Sequence, residues 1–376
     1  MNPTLRFLRE HQEHMLEDLR GFVERETPST DKPLLDGFAE FLADYAASAA
    51  GGRVEILPTE GSGNNVRVSW DNENGRPPIF LLGHYDTVWS AGTLKKMPCG
   101  VADGVATGPG IFDMKCGLVQ GFWAVRALRE AAGVERPVVF LCNSDEEVGS
   151  PNSRVLIEEE ARRAHTVLVL EPSLDGALKT ARKGVGRYRI RVTGRPSHAG
   201  LDPEGGISAI EEMARLILEL HGHTDLQTGT TVNVGVVAGG MRYNVVAAEA
   251  SAEVDVRAVT RAEAGRMAEV ISGLKPRNPG ASVSVEGGEL WPPMERAEKT
   301  EELFNHARRL AEELGFELRE GLAGGASDGC FCAAVGAPTL DGLGAVGGGA
   351  HATDEHVEVA SIPLRAALVA RLMETL

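Results

Sequence analysis

Ionisable side chains follow three short apolar runs of the sequence, each of which predicts a buried β-strand. The first run ends before His84, the second before Glu146 and Glu147, and the third before Glu171. Ligands of open α/β sheets bind beyond the carboxyl ends of the strands. Imidazole mixed with carboxylate oxygens suits Zn²⁺, Mn²⁺ or Co²⁺. The three runs therefore predict a metal-binding cluster at one edge of a sheet.

Two glycine-rich turns add further candidates. Asp113 lies in the turn 108–115 and His351 in the segment 348–355, where glycine lets backbone and ligand approach closely. Asp86 lies two residues after His84, on the same side of an extended chain, where it can accept the second ring N–H of that histidine. Two histidines and three carboxylates, one of them shared, suit two metals about 3.5–4 Å apart, as in two-metal hydrolases.

Each segment also has a simpler interpretation. Asp113 precedes a predicted helix and is explained on its own as a helix N-cap. The segment 145–147 can be a solvated loop, and His84 with Asp86 can be a surface pair. Three adjacent carboxylates at the end of a buried strand are electrostatically costly without a cation, which favours the metal centre when the segments are taken together.

Apolar periodicity predicts the elements that position these residues. Strands are predicted at 66–70, 79–82, 138–141 and 167–170, and helices at 5–22, 34–50 and 115–132. Strands that are apolar throughout and separated by helices indicate an α/β domain with a largely parallel, mixed sheet and helices on both faces.

From about residue 183 the pattern changes to half-exposed strands with period two. The order from there is β-α-β-β-α-β, which is typical of a ferredoxin-like α+β domain. It ends near Gly287-Gly288 and is followed by a second α/β segment. We therefore expect a discontinuous catalytic domain, 1–182 and 290–376, with an inserted domain at 183–289.

Composition limits the class of protein. The 376 residues carry 38 Lys and Arg against 54 Asp and Glu, a net charge of −16, which disfavours nucleic acid and membrane partners. The number of cysteines, five, is odd and the chain is long, so no disulfide framework is expected. No apolar stretch reaches about 18 residues and no signal-like segment opens the chain, so we expect a cytoplasmic protein.

Four motifs, taken in their order along the chain, resemble the di-zinc metallopeptidase family of glutamate carboxypeptidase, acetylornithine deacetylase and succinyl-diaminopimelate desuccinylase. They are Gly-His-Tyr-Asp-Thr-Val from residue 83, Gly-Pro-Gly-Ile-Phe-Asp-Met-Lys from 108, Asp-Glu-Glu-Val-Gly-Ser from 145 and Ser-His-Ala-Gly from 197. The resemblance covers nearly the whole chain and is strongest to the bacterial glutamate carboxypeptidase branch.

The resemblance implies two Zn²⁺ ions, with Co²⁺ or Mn²⁺ as substitutes. His84 and Glu171 would complete one zinc site, Glu147 and His351 would complete the other, and Asp113 would bridge both. The family often has a cis peptide bond directly after the bridging aspartate.

The same resemblance implies roles for two further carboxylates. Asp86 would orient His84. Glu146 would act as the general base, taking a proton from water and passing it to the departing amine.

Further candidates lie in the inserted domain and one pocket loop. Family resemblance makes His198 an oxyanion donor, acting within its own subunit or in that of a partner, and gives Asn244 and Arg257 contacts with substrate. Arg257 has an alternative as an exposed strand residue paired with a neighbouring carboxylate. Lys183 and Ser327 are weaker candidates for binding the carboxylate of the released residue.

Taken together, the sequence and the resemblance predict a zinc-dependent exopeptidase that releases a C-terminal amino acid, with glutamate as the first candidate, from a small peptide or N-acyl amino acid. The alternative within the same class is an N-acyl-amino-acid deacylase such as acetylornithine deacetylase. A non-catalytic binding protein is disfavoured because Glu146 and Asp113 are present. A nucleotide-binding protein is rejected because no glycine-rich phosphate loop occurs in strand–turn–helix context. The resemblance also implies a homodimer formed through the inserted domain.

Overall fold

The apolar runs of the sequence form the centre of a mixed β-sheet. The structure, a computed structural model, describes residues 2–71, 75–131 and 136–376. The strands are β1 Arg53–Leu57, β2 Asn65–Trp70, β3 Ile79–His84, β4 Gly100–Ala102, β5 Val105–Thr107, β6 Val138–Asn143, β7 Thr166–Val169, β8 Leu178–Arg182, β9 Gly184–Thr193, β10 Thr231–Gly239, β11 Glu249–Ala258, β12 Ser282–Trp291, β13 Glu320–Ala323, β14 Thr339–Leu340, β15 Gly347–Gly348 and β16 His356–Glu358.

The α-helices connect and cover these strands. They are α1 Pro3–Glu10, α2 Gln12–Val23, α3 Lys32–Tyr45, α4 Cys116–Ala131, α5 Arg154–Arg163, α6 Ala209–His221, α7 Arg261–Ser272, α8 Glu298–Leu314, α9 Gly329–Ala334 and α10 Ile362–Thr375. None of the helices in the described residues is long and apolar enough to cross a membrane.

The chain divides into two compact units. The first comprises 1–180, 296–323 and 327–376, and the second comprises 181–295 and 324–326. The predicted insertion, 183–289, lies inside the second unit, and the catalytic segments were predicted to be the remainder.

The first unit contains a six-stranded sheet in the order β1-β2-β6-β3-β7-β14. β3 runs parallel to both β6 and β7, and β14 runs parallel to β7. β2 pairs antiparallel with β6 on one side and with β1 on the other. Every residue of β3 and β6 is buried, so both faces of the sheet are covered there. The prediction of a largely parallel, mixed α/β sheet is confirmed.

The second unit is a four-stranded antiparallel sheet in the order β10-β11-β9-β12, with the chain order β9-α6-β10-β11-α7-β12. Alternate residues of β9, among them Tyr188, Ile190 and Val192, join the apolar core with α6 and α7. The arginines between them are exposed. The predicted α+β order is present in this unit.

Two predicted helices differ from the observed ones. The helix predicted over 5–22 is broken at His11, where φ is −109° and the ring Nδ1–H donates to the Phe7 carbonyl at 2.8 Å. The helix predicted over 34–50 is an α-helix only to Tyr45 and continues as one turn of π-helix over Ala46–Ala50. The predicted end of the third helix, residue 132, lies outside the described residues.

Candidate metal centre

The parallel strands bring four of the predicted residues to one edge of the sheet. His84 is the last residue of β3, which lies between β6 and β7. Glu146 and Glu147 lie in the turn after β6, and Glu171 lies two residues after β7. Because parallel neighbours end at the same edge, side chains that are distant in sequence become neighbours in space.

Asp113 lies between the two predicted histidine ligands. Its Oδ1 is 3.3 Å from Nε2 of His84, and its Oδ2 is 3.4 Å from Nε2 of His351. Glu171 Oε1 lies 3.4 Å from the same His84 nitrogen, and Glu147 Oε2 lies 3.2 Å from the His351 nitrogen. The peptide bond Asp113–Met114 is cis, as the resemblance implies.

Several side-chain atoms of this cluster are buried but take part in no hydrogen bond within the described residues. Among the described residues, His84 Nε2, Asp113 Oδ1 and Glu147 Oε1 have no hydrogen-bond partner. Buried polar atoms of this kind are rare because they have lost water without compensation. Ligand atoms of His84, Glu146 and Glu171, and those of His84, Asp113 and Glu147, also lie within 4.8 Å of one another. Imidazole nitrogen and carboxylate oxygen fit a divalent cation such as Zn²⁺.

Asp86 connects His84 to the Glu146 turn. Its carboxylate is buried and accepts the backbone N–H groups of Glu146 and Glu147, each at 3.2 Å, and the Ser29 hydroxyl at 2.8 Å. His84 Nδ1 lies 3.4 Å from Asp86 Oδ1 and closer, at 3.0 Å, to the Asp86 carbonyl. The Asp86 carboxylate thus faces the ring that it was predicted to orient, and the Asp86 carbonyl, which was not predicted, lies closer to it.

Burial and neighbouring charges both shift the pKa values of these groups. Burial raises the pKa of Glu146 well above its usual value, with Glu171 adding to the effect and His84 opposing it. Burial alone would lower the pKa of His84, but its contacts with Asp113, Asp86 and Glu171 outweigh this and raise it.

The other histidine follows the same pattern. Contacts with Asp113 and Glu147 raise the pKa of His351 to about 10. Burial would raise the pKa of Asp113, but His351 and His84 hold it well below its usual range. Both histidines are therefore stabilised as cations among carboxylates, and positive charge is what this cluster requires.

Comparison with known proteins identifies the family of this chain. A model of the peptidase family M20/M25/M40 matches residues 80–375. The chain belongs to this family. It is therefore an enzyme of the M20 peptidase and amidohydrolase class, and this class uses divalent metals.

Individual M20 relatives include proteins of two activities. Carboxypeptidase G2 of Pseudomonas sp. (strain RS-16) is 32% identical over 307 residues, which cover 80% of this chain and 74% of the relative. The acetylornithine deacetylase of Myxococcus xanthus is 31% identical over 195 residues, which cover 49% of this chain and 50% of the relative.

Solved structures share the fold. The aminopeptidase PepT of Bacillus cereus superposes with a TM-score of 0.79 at 24% identity, covering 96% of this chain and 98% of its own. The metallo-carboxypeptidase Sso-CP2 of Sulfolobus solfataricus superposes with a TM-score of 0.72 at 16% identity, with the same coverage.

In the second unit of this M20 chain, the loops of His198 and Asn244 lie side by side. The Ala199 N–H donates to the Asn244 carbonyl at 3.0 Å. His198 is exposed, and its Nδ1 faces the N–H groups of Gly200 and Leu201 at 3.2 and 3.1 Å. Since Nδ1 accepts these bonds, the ring proton of neutral His198 belongs on Nε2, which leaves an exposed N–H donor.

Two of the remaining candidate residues, Arg257 and Ser327, have partners within their own units. Arg257 donates to both carboxylate oxygens of Asp255 at 2.8 and 3.0 Å, which matches the paired alternative that the sequence left open. The Ser327 hydroxyl is buried and donates to Asp341 Oδ2 at 2.7 Å. Lys183 is half-buried. The substrate contacts of all three stay predictions.

Asp328 was not among the predicted site residues, yet it lies near enough to Glu146 for its charge to act on that carboxyl group. It is buried, accepts from Asn143 Nδ2 at 2.7 Å and from the Ser150 hydroxyl, and burial raises its pKa to about 7. Its negative charge contributes to the raised pKa of Glu146. The signal in the sequence was the segment 324–328, which ends in this aspartate.

Proposed function

We propose that this M20 enzyme is a two-metal hydrolase that cleaves an amide bond and releases a C-terminal amino acid, with glutamate as the first candidate. The observation that carries the proposal is the position of Asp113 between His84 and His351, each of which faces a different oxygen of the same carboxylate. The 32% identity to a carboxypeptidase over most of the chain supports this reaction over others of the family.

The residues divide into two ligand sets that share Asp113. His84 and Glu171 would hold one Zn²⁺, and Glu147 and His351 would hold the other, with Co²⁺ or Mn²⁺ as substitutes. When bound, such cations supply positive charge that acidifies a water molecule and polarises the substrate carbonyl.

Glu146 is the proposed proton carrier. Its Oε2 lies 3.9 Å from Nε2 of His84, beside the ligand cluster. The Glu146 carboxylate accepts a proton from the attacking water, and the carboxylic acid then donates that proton to the leaving amine nitrogen. A pKa raised by burial brings proton uptake and release by Glu146 closer to neutral pH.

Residues of the second unit would bind the substrate. The exposed Nε2–H of His198, from this subunit or a partner, donates to the carbonyl oxygen as negative charge develops there. Arg257 would grip the terminal carboxylate of the substrate, with Asp255 orienting its guanidinium group. Asn244 and Lys183 of the same unit are proposed as further contacts, as is Ser327 of the first unit, on the resemblance alone.

The second candidate is an N-acyl-amino-acid deacylase. The acetylornithine deacetylase relative favours it, although the match covers only about half of each chain. The two candidates share the metal ligands and Glu146, so they differ in which substrate the binding residues accept.

A substrate panel distinguishes the two candidates. Metal-loaded protein is given acyl-glutamate, acyl-aspartate, acyl-ornithine and dipeptides, and the released amino acid is quantified. Release of glutamate from acyl-glutamate supports the carboxypeptidase. Preferential release of ornithine supports the deacylase and rejects the carboxypeptidase, and no release from any of these substrates contradicts both.

We further propose that a second copy of the chain covers the edge of the inserted sheet. Among the described strands, β10 pairs only with β11 and therefore has one unpaired edge. The Val236 and Val237 residues of β10 are 56% and 60% exposed. On α6, Leu218 is 76% exposed. An unpaired edge with exposed apolar side chains is a typical site for association. β9 is flanked on both sides by β11 and β12, so α6 and β10 are the better candidates for the contact.

Sedimentation tests this assembly. Leu218→Glu is expected to give monomers where the wild type gives dimers, because it buries an unpaired charge in the contact. Val155→Glu is the control, since Val155 is also exposed on a helix, by 69%, but lies in the first unit. An active wild-type monomer would reject the dimer.

A further inference from the structure

Glu355 lies beneath the turn that carries Asp113. It is 1% exposed. Its Oε1 accepts the backbone N–H groups of Phe112 and Asp113 at 2.9 and 3.0 Å. Its Oε2 accepts the Gly110 N–H and the Trp89 indole N–H, both at 2.8 Å. One carboxylate therefore accepts hydrogen bonds from four donors. Three of these donors are backbone N–H groups of the turn that carries Asp113, the proposed bridging ligand.

Glu355 also belongs to the segment that carries the second histidine. His351 precedes it by one tight turn, in which the Glu355 N–H donates to the Ala352 carbonyl at 3.1 Å. His351 itself adopts a left-handed backbone with φ of +61°, and Gly349 has φ of +76°. A Cβ at Gly349 would come within 2.8 Å of the Asp354 carbonyl and of the Glu355 Cα, so this turn packs closely on itself.

These contacts connect two proposed ligands through one side chain. Asp113 and His351 come from distant parts of the sequence, and their side chains meet at 3.4 Å. The Glu355 bonds fix the backbone on one side of that contact, and the tight turn fixes it on the other. Outer hydrogen bonds of this kind commonly set the position of metal ligands and contribute about 10–100-fold to metal affinity.

We propose that Glu355 is a positioning residue that holds Asp113 in register with His351, and that it thereby sets the affinity of the metal site those two residues share with Glu147. The inference rests on the proposed two-metal site. The hydrogen bonds that Glu355 accepts come from backbone N–H groups of the 110–113 turn and from the Trp89 indole, so it acts on Asp113 through the backbone of that turn.

The chemistry of a carboxylate is essential to this arrangement. Each oxygen of Glu355 accepts two bonds, and both are needed for the four donors. A glutamine has the same shape, but its NH₂ group would face two of those donors and leave them unsatisfied. Glu355→Gln therefore loosens the turn without changing the volume of the side chain.

The matched control is Glu212→Gln in the second unit. Glu212 is 2% exposed and accepts the backbone N–H groups of Arg277 and Asn278 at 2.8 and 3.3 Å. It thus loses the same kind of bond from a similarly buried carboxylate. If loss of such bonds only destabilises the protein, the two variants will behave alike.

The experiment measures metal binding directly. Metal-stripped proteins are titrated with Zn²⁺ in competition with a chelator, and with Co²⁺ while its visible absorption is recorded. We expect Glu355→Gln to weaken one of two zinc sites by about 10–100-fold and to alter the Co²⁺ spectrum. We expect Glu212→Gln to bind both metals as the wild type does.

Other outcomes overturn the proposal. One is that folded Glu355→Gln keeps the zinc affinities and the Co²⁺ spectrum of the wild type. The other is that Glu212→Gln loses as much zinc affinity as Glu355→Gln does. If Glu355→Gln does not fold, Glu355→Asp replaces it. Its shorter carboxylate cannot reach all four donors, so a several-fold loss of zinc affinity is expected and an unchanged affinity rejects the proposal. Failure of the wild type to bind Zn²⁺ or Co²⁺ would instead reject the proposed function.

Discussion

Asp113 places its Oδ2 3.4 Å from Nε2 of His351 while its other oxygen faces His84. A carboxylate that faces one imidazole with each oxygen can join two ligand sets. The same arrangement explains the shifted titration of all three groups, because each histidine is stabilised as a cation by the shared negative charge. The position of this side chain is therefore the part of the structure on which the proposed function depends most.

Asp113→Asn is expected to weaken both metal sites. The amide retains one oxygen, a weaker ligand without charge, and presents an NH₂ group where the second oxygen lay. We expect zinc affinity to fall at both sites by more than the 10–100-fold that loss of an outer partner causes. Chelator competition measures this.

Asp175→Asn provides the matched control. Asp175 is exposed in the same unit and has φ of +48°, a conformation that asparagine tolerates. Loss of one metal with full retention of the other in Asp113→Asn would contradict the bridging role.

The sequence predicted the parts of the site that follow from strand polarity. His84 is the last residue of a buried strand and Glu147 and Glu171 follow two others, and parallel neighbours bring such positions to one edge. Asp113 and His351 lie in irregular turns, so no periodicity specified where they lie in space. Their assignment depended on the resemblance.

Residues that act through the backbone of a distant segment were beyond prediction. Glu355 was visible only as an acid near His351, because its partners 110–113 are joined to it by the fold alone. Arg365 is similar, since it is buried and donates to the carbonyls of Leu343, Gly344 and Gly342. A single sequence contains no signal for such pairings.

Gly344→Ala is expected to disturb Glu171. A Cβ at Gly344 would lie 2.2 Å from the Leu170 carbonyl oxygen and 2.9 Å from that of Glu171. Backbone must move to relieve this overlap, so we expect a loss of about 1–3 kcal/mol of unfolding free energy. We also expect weaker metal binding at the site that contains Glu171.

Chemical denaturation and metal titration measure the two effects. Gly100→Ala is the control, because among the described residues other than its chain neighbours no atom lies within 4 Å of the Cβ that it would add. Unchanged stability and metal affinity in Gly344→Ala would show that the close approach is not constraining.

Glu320 is expected to make stability depend on pH away from the metal centre. Its carboxylate accepts two bonds from Arg296, at 2.9 and 3.0 Å, and one from the Thr180 hydroxyl at 2.8 Å. Arg296 lowers the pKa of Glu320, with burial opposing the shift. The folded pKa is thus below the unfolded one, so this stabilisation is present above the unfolded value of about 4.3 and is lost as pH falls through the folded value.

Glu320→Gln tests that linkage. It should be less stable than the wild type at pH 7, and the difference should shrink as pH falls below about 4. Urea unfolding of both proteins across this range measures the difference. A difference that grows towards acid would have the wrong sign and reject the linkage.

Glu146→Gln separates proton transfer from metal binding. The amide cannot accept a proton from water, so turnover should fall by about 10²–10⁴-fold while zinc affinity stays near that of the wild type. Glu158→Gln is the control, because Glu158 pairs with Arg154 and Arg162 on a helix of the same unit. A comparable loss of zinc affinity in Glu146→Gln would move this residue from base to ligand.

The most direct test of the two-metal hydrolase combines both readouts in one titration. Metal-stripped wild type receives Zn²⁺ stepwise, and bound zinc and the release of amino acid from acyl-glutamate are measured at each step. The account predicts two bound ions per chain, with release of glutamate only when zinc is bound. Release of glutamate at full rate by the metal-free protein would contradict it. So would a protein that is saturated with Zn²⁺ but holds no zinc ion at these residues.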